Sequence, residues 1–107
     1  MYKLAQDADV NGTHLQGYVT LPPAALVEKF GRGESFDGYK TSGAYAFESG
    51  DGEVFTVYDW KRTVLYCPES GIPVEQLWSS REPFEFNVGG KSAAIDFIAW
   101  LREEVSS

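Results

Sequence analysis

Apolar residues recur at every second position in four stretches of the chain, which is the period of β-strands. The stretches are "HLQGYVT", "AYAF", "VFTVY" and "FEFNV". The N-terminal "MYKLAQDADVNG" is predicted to be a further strand followed by the turn Asn11-Gly12, which is a hairpin signal. In "HLQGYVT", Leu15, Gly17 and Val19 are predicted on one side, with Gln16 and Tyr18 on the other. The tight turn 49–52 predicts a hairpin between the second and third stretches.

Two helices are predicted from a different spacing of apolar residues. The first has Pro22-Pro23 in its opening turn, Thr20 as its cap and Gly31 at its end. The second starts near Lys91 or Ser92, and its apolar positions fall on one face: Ala94, Phe97, Ile98, Leu101 and Val105. The pattern predicts one α+β domain over residues 1–107. Its sheet is mainly antiparallel with four to five strands, with a short helix in the N-terminal half and a longer C-terminal helix packed on one face.

The composition is that of a globular cytoplasmic protein. The chain has 107 residues, of which 43% are hydrophobic, enough for one stable core without disulfides or metals. Cys67 is the single cysteine, so no intrachain disulfide can form. There is no charged-then-apolar leader and no apolar run of about 20 residues, which a membrane span would need. We therefore expect a protein of the cytoplasm without membrane association.

The formal net charge of −7 argues against direct nucleic-acid binding, because phosphate contacts require Lys and Arg. Mimicry of nucleic acid is an alternative, but it needs a continuous acidic face. The acidic residues are spread from Asp7 to Glu104, with the densest groups only pairs such as Asp51 and Glu53. Ordinary solubility explains this charge more simply.

The segment Gly89-Gly90-Lys91-Ser92 resembles part of a phosphate-binding loop. That loop requires a glycine five residues before its second glycine, and here this position is Glu85. A carboxylate would repel phosphate, so an NTPase is excluded. An anion or nucleotide could still bind at the N-terminus of the last helix, and this alternative ligand site would consist of Tyr39, Lys40, Gly89, Gly90, Lys91 and Ser92.

Catalytic and metal-binding patterns are sparse. His14 is the only histidine, and nothing in the sequence brings it to Cys67. One His and one Cys cannot form a structural zinc site, and the spacing of Asp51 and Glu53 does not fit a calcium loop. We expect no enzyme, no cofactor and no metal site.

Two short clusters combine aromatic, charged and glycine residues: "DGYK" at 37–40 and "YDWK" at 58–61. In the second, Asp59 continues the side of the strand that carries Phe55 and Val57. This indicates either a strand end that leaves the sheet or a polar cluster in which Asp59 pairs with Lys40 or Lys61 beside aromatic rings. Trp100 lies about 120° from the centre of the apolar stripe of the last helix. It either packs at the edge of the core or anchors a partner, as tryptophan often does.

Five motifs resemble, in this order, a small family of bacteriophage and prophage proteins of uncharacterised function. They are Leu15-Gln16-Gly17-Tyr18, Phe30-Gly31, Asp37-Gly38-Tyr39-Lys40, Tyr58-Asp59-Trp60-Lys61 and Val88-Gly89-Gly90-Lys91-Ser92, and they cover about residues 14–105. The family's tryptophan in the first hairpin strand is replaced near Tyr45, and its tryptophan before the Gly-Gly corner appears as Phe84 or Phe86. The resemblance implies a phage-encoded protein in the cytoplasm of the infected host. Small acidic phage proteins are often inhibitors of host defence, including anti-CRISPR proteins.

The sequence and this resemblance together predict a non-enzymatic binding protein that inhibits a host defence or other host complex by occupying a surface. The partner would be a bacterial host protein or defence complex with a basic surface. The candidate contacts are Tyr18, Tyr39, Asp51, Glu53 and Trp100. A homodimer is a further expectation, because the hairpin would leave an open edge of the sheet.

Overall fold

The computed structural model describes residues 1–35 and 40–106. Within them lie five strands and three helices. In chain order they are β1 (Tyr2–Leu4), β2 (His14–Leu21), α1 (Pro23–Phe30), β3 (Ala44–Ser49), β4 (Val54–Tyr58), α2 (Val74–Trp78), β5 (Phe84–Gly90) and α3 (Ile95–Ser106). The predicted α+β fold, with an antiparallel sheet and a longer C-terminal helix, is confirmed.

The five strands form one antiparallel sheet in the order β1-β3-β4-β5-β2. The predicted hairpin is β3–β4, in which Tyr45 pairs with Val57 and Phe47 with Phe55. The hairpin lies inside the sheet, so the expectation that it leaves an open edge is wrong: β1 and β2 are the edges. Asn11-Gly12 does form a turn, but β1 and β2 do not pair, because the rest of the sheet separates them.

The helices pack on one face of the sheet and bury the main core there. Phe97 of α3 stacks on Phe55 of β4, with 4.9 Å between ring centroids, and it also contacts Phe47. The predicted face of α3 is confirmed, since Ala94, Phe97 and Leu101 are buried and Ile98 and Val105 pack against the core. Because side chains alternate between the two faces of a strand, burial of this face also determines which side chains lie on the opposite face.

The sheet's second face is also partly buried. Ala46, Thr56 and Gly89 are neighbours on that face in β3, β4 and β5, and each is buried. Since β1 and β2 lie at opposite edges, the segment 5–13 must cross the sheet, and we infer that it covers this face. Gln6 secures the start of the crossing, because its side chain donates to Ala44 O and accepts from Ala46 N.

Three local expectations are wrong. The N-cap of α1 is Pro22 and not Thr20, which remains in β2. α3 begins at Ile95 rather than at Lys91 or Ser92, because β5 stays paired with β4 and β2 as far as Gly90.

The third concerns the facing of Leu15. A β-bulge between Leu15 and Gly17 shifts the register of β2 against β5. Leu15 therefore pairs with Gly89 and shares the face of Tyr18, not the face of Gly17 and Val19.

Candidate functional site

Asp59 follows β4 and is fully buried, with no exposed surface. Its carboxylate accepts hydrogen bonds from the amides of Ser42 (2.8 Å) and Gly43 (3.0 Å), and from the hydroxyl of Ser42 (2.7 Å). The Ser42 hydroxyl in turn accepts from Trp78 Nε1 at 2.9 Å. The expected pairing of Asp59 with Lys40 or Lys61 is wrong, because the amides that lie beside the buried carboxylate satisfy it instead. Asp59 thus ties β4, the start of β3 and α2 together.

The two lysines surround the next residue, Trp60. The Nζ atoms of Lys40 and Lys61 lie 5.7 Å and 5.5 Å from the centroid of the Trp60 ring. Lys61 Nζ also lies 5.0 Å from the centroid of Tyr66. These are cation–π distances. We call Lys40, Trp60, Lys61 and Tyr66 the Trp60 cluster.

Trp60 also continues a row of aromatic side chains across the sheet. Tyr18, Asn87 and Tyr58 are register neighbours on β2, β5 and β4, on the face away from the helices. Tyr58 meets Trp60 edge to face, with 6.0 Å between centroids. Trp60 is 39% exposed and Tyr18 is 49% exposed. We call Tyr18, Tyr58 and Trp60 the aromatic row.

The middle of the aromatic row is partly shielded from water. Burial raises the pKa of Tyr58, while a hydrogen bond with the Asn87 side chain lowers it by a smaller amount and the neighbouring Tyr18 raises it. The phenol of Tyr58 therefore stays neutral at physiological pH, so this residue presents an aromatic ring with a neutral polar tip.

The residues predicted to contact a partner do not form one surface. Tyr18 belongs to the aromatic row, whereas Trp100 lies on the helix side and packs against Tyr2, Phe47 and Phe97. Trp100 therefore packs at the edge of the core, which is one of the two roles expected from the sequence. Tyr39 lies outside the described residues.

Asp51 and Glu53 lie at the turn between β3 and β4, at the end of the sheet opposite Trp60. Burial raises the pKa of Tyr2, and the nearby carboxylates of Asp96 and Glu53 raise it further. We call Asp51, Glu53 and Asp96 the acidic end.

The alternative ligand site has a different geometry from the one expected. Gly89 and Gly90 belong to β5, where a Cβ on Gly89 would lie 2.5 Å from Thr56 Oγ1 and one on Gly90 would lie 2.9 Å from the Phe55 ring. Close packing therefore accounts for both glycines. Lys91 and Ser92 line a shallow depression together with Asp51 and Glu53, and the Ser92 hydroxyl donates to the Glu53 carboxylate. Carboxylates at this position oppose anion binding.

The remaining chemical candidates lie apart. His14 is exposed and pairs with Gly90 at the turn end of the sheet, whereas Cys67 follows β4 beyond the opposite end, with its thiol 3.9 Å from Lys61 O. Across residues 1–35 and 40–106, no group of three or more His, Cys, Asp or Glu side chains could hold a metal ion. None of the helices in the described part of the chain is long and apolar enough to cross a membrane.

Trp60 is the site residue that the sequence analysis missed. Its strand alternation with Tyr58 and its two flanking charges were visible in "YDWK". Asp59 is the more unusual residue of that motif, because a charged residue rarely lies on the apolar side of a strand. The approach of Lys40 to this segment was expected, but as a partner of Asp59 rather than of the Trp60 ring.

Comparison with models of known protein families gives no match for this chain, and comparison with curated protein sequences gives no significant match. The structural features that bear on function are therefore the aromatic row, the Trp60 cluster and the acidic end.

Proposed function

We propose that this is a non-enzymatic binding protein that acts by occupying a surface of a partner protein. Following the sequence resemblance to phage proteins, the proposed partner is a bacterial defence complex, as for an anti-CRISPR protein, or another host complex. The proposed place of action is the cytoplasm of the infected cell. The observation that carries the proposal is the exposed aromatic row on the sheet face opposite the helices.

The aromatic row has the properties of a protein-binding surface. Tyrosine and tryptophan bury large areas on association while losing little side-chain entropy, and they dominate measured binding hot spots. Tyr18 and Trp60 are substantially exposed, because they lie on the face of the sheet away from the main core. The neighbouring Leu15, also 49% exposed, extends the apolar surface along β2.

The aromatic row is also held rigidly, which favours its assignment as a binding surface. The row is built across three hydrogen-bonded strands, and Asp59 next to Trp60 is held by three hydrogen bonds to Ser42 and Gly43. A surface that is already ordered loses less entropy on binding than a mobile one.

Charge supports a basic region on the partner. The chain carries a net charge of −7, and the acidic end presents Asp51, Glu53 and Asp96 at a distance from the aromatic row. Opposite charges on two proteins accelerate their encounter, so the acidic end would steer a basic partner surface toward this protein.

The experiment is a quantitative pull-down from lysate of a bacterial host, with co-purified proteins identified by mass spectrometry. The test variant is the double substitution Tyr18→Ala and Trp60→Ala. The control is Ile95→Ala, which removes a 78% exposed apolar side chain from α3, outside the row. We expect the amount of partner that co-purifies with the test variant to fall by at least about tenfold, because two aromatic anchors are removed. The control should recover as much partner as the parent protein.

A double variant that captures the partner as well as the parent protein would refute the assignment of the aromatic row. A parent protein that instead carries a stoichiometric small anion would move the function to the Lys91–Ser92 depression. Thermal stabilisation by a nucleotide panel would then measure that binding directly.

A further inference from the structure

Lys61 adopts a backbone conformation that side chains rarely adopt. Its φ of 57° makes it the only non-glycine residue with positive φ in the described part of the chain. Gly12, Gly31 and Gly52 occupy the comparable positions elsewhere, with φ between 81° and 85°. Glycine takes this conformation without steric cost, so a lysine here indicates a role for its side chain.

The unusual backbone places the Lys61 ammonium on two aromatic rings. The Lys61 amide donates to Lys40 O at 2.6 Å, which holds the two lysine-bearing segments together. Its Nζ then lies 5.5 Å from the Trp60 centroid and 5.0 Å from the Tyr66 centroid. An aromatic ring orients an ammonium without neutralising its charge, because the ring carries only a quadrupole.

Three other cations of the described residues are paired with carboxylates. Lys29, Arg32 and Arg81 form salt bridges with Glu104, Glu75 and Glu28. Neither Lys61 nor the following Arg62 forms a salt bridge with any described residue, and Arg62 lies 4.8 Å from the Phe84 ring centroid. Among residues 1–35 and 40–106, the charges of Lys61 and Arg62 therefore lie against aromatic rings and are not paired with a carboxylate.

We propose that the Trp60 cluster binds a short acidic segment of the partner protein, with Lys61 contacting a carboxylate and Trp60 packing against the adjoining chain. The proposal rests on the proposed binding function and adds a second chemistry to it. The partner would present basic side chains to the acidic end and an acidic segment to the Trp60 cluster, which lies at the opposite end of β4. Two opposite charge contacts fix the orientation of a complex.

A short acidic segment fits this site better than a nucleic acid. Single strands do bind by stacking on aromatic rings beside basic residues. However, a nucleic acid carries its charge along its whole length, and the net charge of −7 repels it outside the cluster. A few adjacent carboxylates can instead be satisfied locally.

The test measures binding of short synthetic peptides to the full chain. The probe is a peptide with adjacent glutamates, and its control is the same peptide with glutamines. A short single-stranded deoxythymidine oligomer is the third probe. Binding is followed by the indole N–H resonance of Trp60, which is assigned with a Trp60→Phe variant.

The key variant is Lys61→Gly, which removes the ammonium and relieves the backbone. We expect glutamate-peptide binding to weaken by about tenfold, which corresponds to the loss of one charge contact, while the thermal unfolding midpoint stays the same or rises. Lys61→Arg should retain binding because it retains the charge, and Lys91→Ala should retain it because Lys91 lies at the other end of the sheet.

Equal binding of the glutamate and glutamine peptides would overturn the proposal, as would unchanged binding by Lys61→Gly. Tighter binding of the deoxythymidine oligomer would also overturn it, because the ligand of the Trp60 cluster would then be a nucleic acid. Partner capture distinguishes failure of the acidic-segment proposal from failure of the proposed binding function. If Lys61→Gly captures the partner normally while the Tyr18/Trp60 double variant does not, the binding function stands and the acidic-segment proposal fails.

Discussion

At the scale of single residues, Asp59 organises the end of the sheet from which Trp60 projects. A buried carboxylate is costly unless hydrogen bonds replace its lost hydration. Here two amides and one hydroxyl do so, and all three donors come from Ser42 and Gly43. The partners are 16 and 17 residues away in sequence, which is why local patterns identified Asp59 as unusual but assigned it to the wrong partners.

Replacing Asp59 should therefore destabilise the whole protein. Asp59→Ala leaves two buried amides and the Ser42 hydroxyl without their acceptor, and we expect the free energy of unfolding to fall by about 3 kcal/mol. The measurement is urea unfolding followed by circular dichroism. Glu69→Ala is the control, because Glu69 is an exposed carboxylate and should change stability by less than about 0.5 kcal/mol. Equal effects of the two substitutions would contradict the structural role of Asp59.

Tyr45 provides a pH-dependent contribution to stability. Burial raises the pKa of Tyr45 from 10.0 to about 12, against smaller opposing effects of the Gly33 backbone and Arg32. Its hydroxyl donates to Gly31 O at 2.7 Å. Below pH 10 the phenol is neutral in both states, so this contribution is fully present. Above pH 10 the unfolded chain loses the proton first, and the free energy of unfolding falls as pH rises through the folded pKa.

The predicted size of this effect is about 2–3 kcal/mol between pH 10 and pH 12. Tyr45→Phe should lose about 1 kcal/mol at neutral pH, from the missing hydrogen bond, but should lack this alkaline decline. The readout is the difference between the urea unfolding curves of the parent and the variant at each pH, which cancels the contributions of the other tyrosines. A difference that stays constant across this range would disprove the assignment to Tyr45.

At the scale of elements, the parts of the fold that depend on nearby residues were predictable. The β3–β4 hairpin follows from alternation around a glycine turn, and the face of α3 follows from its apolar spacing. Strand order was not predictable, because β1 pairs with β3 and β2 with β5 over long separations. The bulge at Leu15 also escaped prediction, and it determines which apolar side chains flank the aromatic row.

The face of α3 can be tested with two apolar residues of the same helix. Phe97 is fully buried against Phe55, whereas Ile95 is 78% exposed. We expect Phe97→Ala to reduce the free energy of unfolding by about 3–5 kcal/mol, through lost burial and the cavity that remains. Ile95→Ala should change it by less than about 0.5 kcal/mol. The free energy of unfolding of both variants is measured by denaturant titration. A large effect of Ile95→Ala would contradict the assignment of the buried face of α3.

At the scale of the whole molecule, charge and aromatic surface are separated. Asp51 and Glu53 lie at one end of β4, and the Trp60 cluster lies at the other. The sequence showed the net charge and the aromatic content but not this separation, because the arrangement depends on the strand order. The separation has a kinetic consequence: the acidic end should control how fast a basic partner arrives, while the aromatic row should control how long it remains.

This division predicts different effects for two double variants of equal net charge. Asp51→Lys with Glu53→Lys reverses the acidic end, whereas Glu82→Lys with Glu103→Lys reverses two exposed carboxylates elsewhere. With the captured partner immobilised, we expect the first pair to slow association by about tenfold at low salt, and the difference to shrink near 0.15 M salt, where screening acts over about 8 Å. The second pair should slow association less, because neither Glu82 nor Glu103 belongs to the acidic end. Equal slowing by both pairs would mean that net charge alone drives the encounter, and the acidic end would then have no steering role of its own.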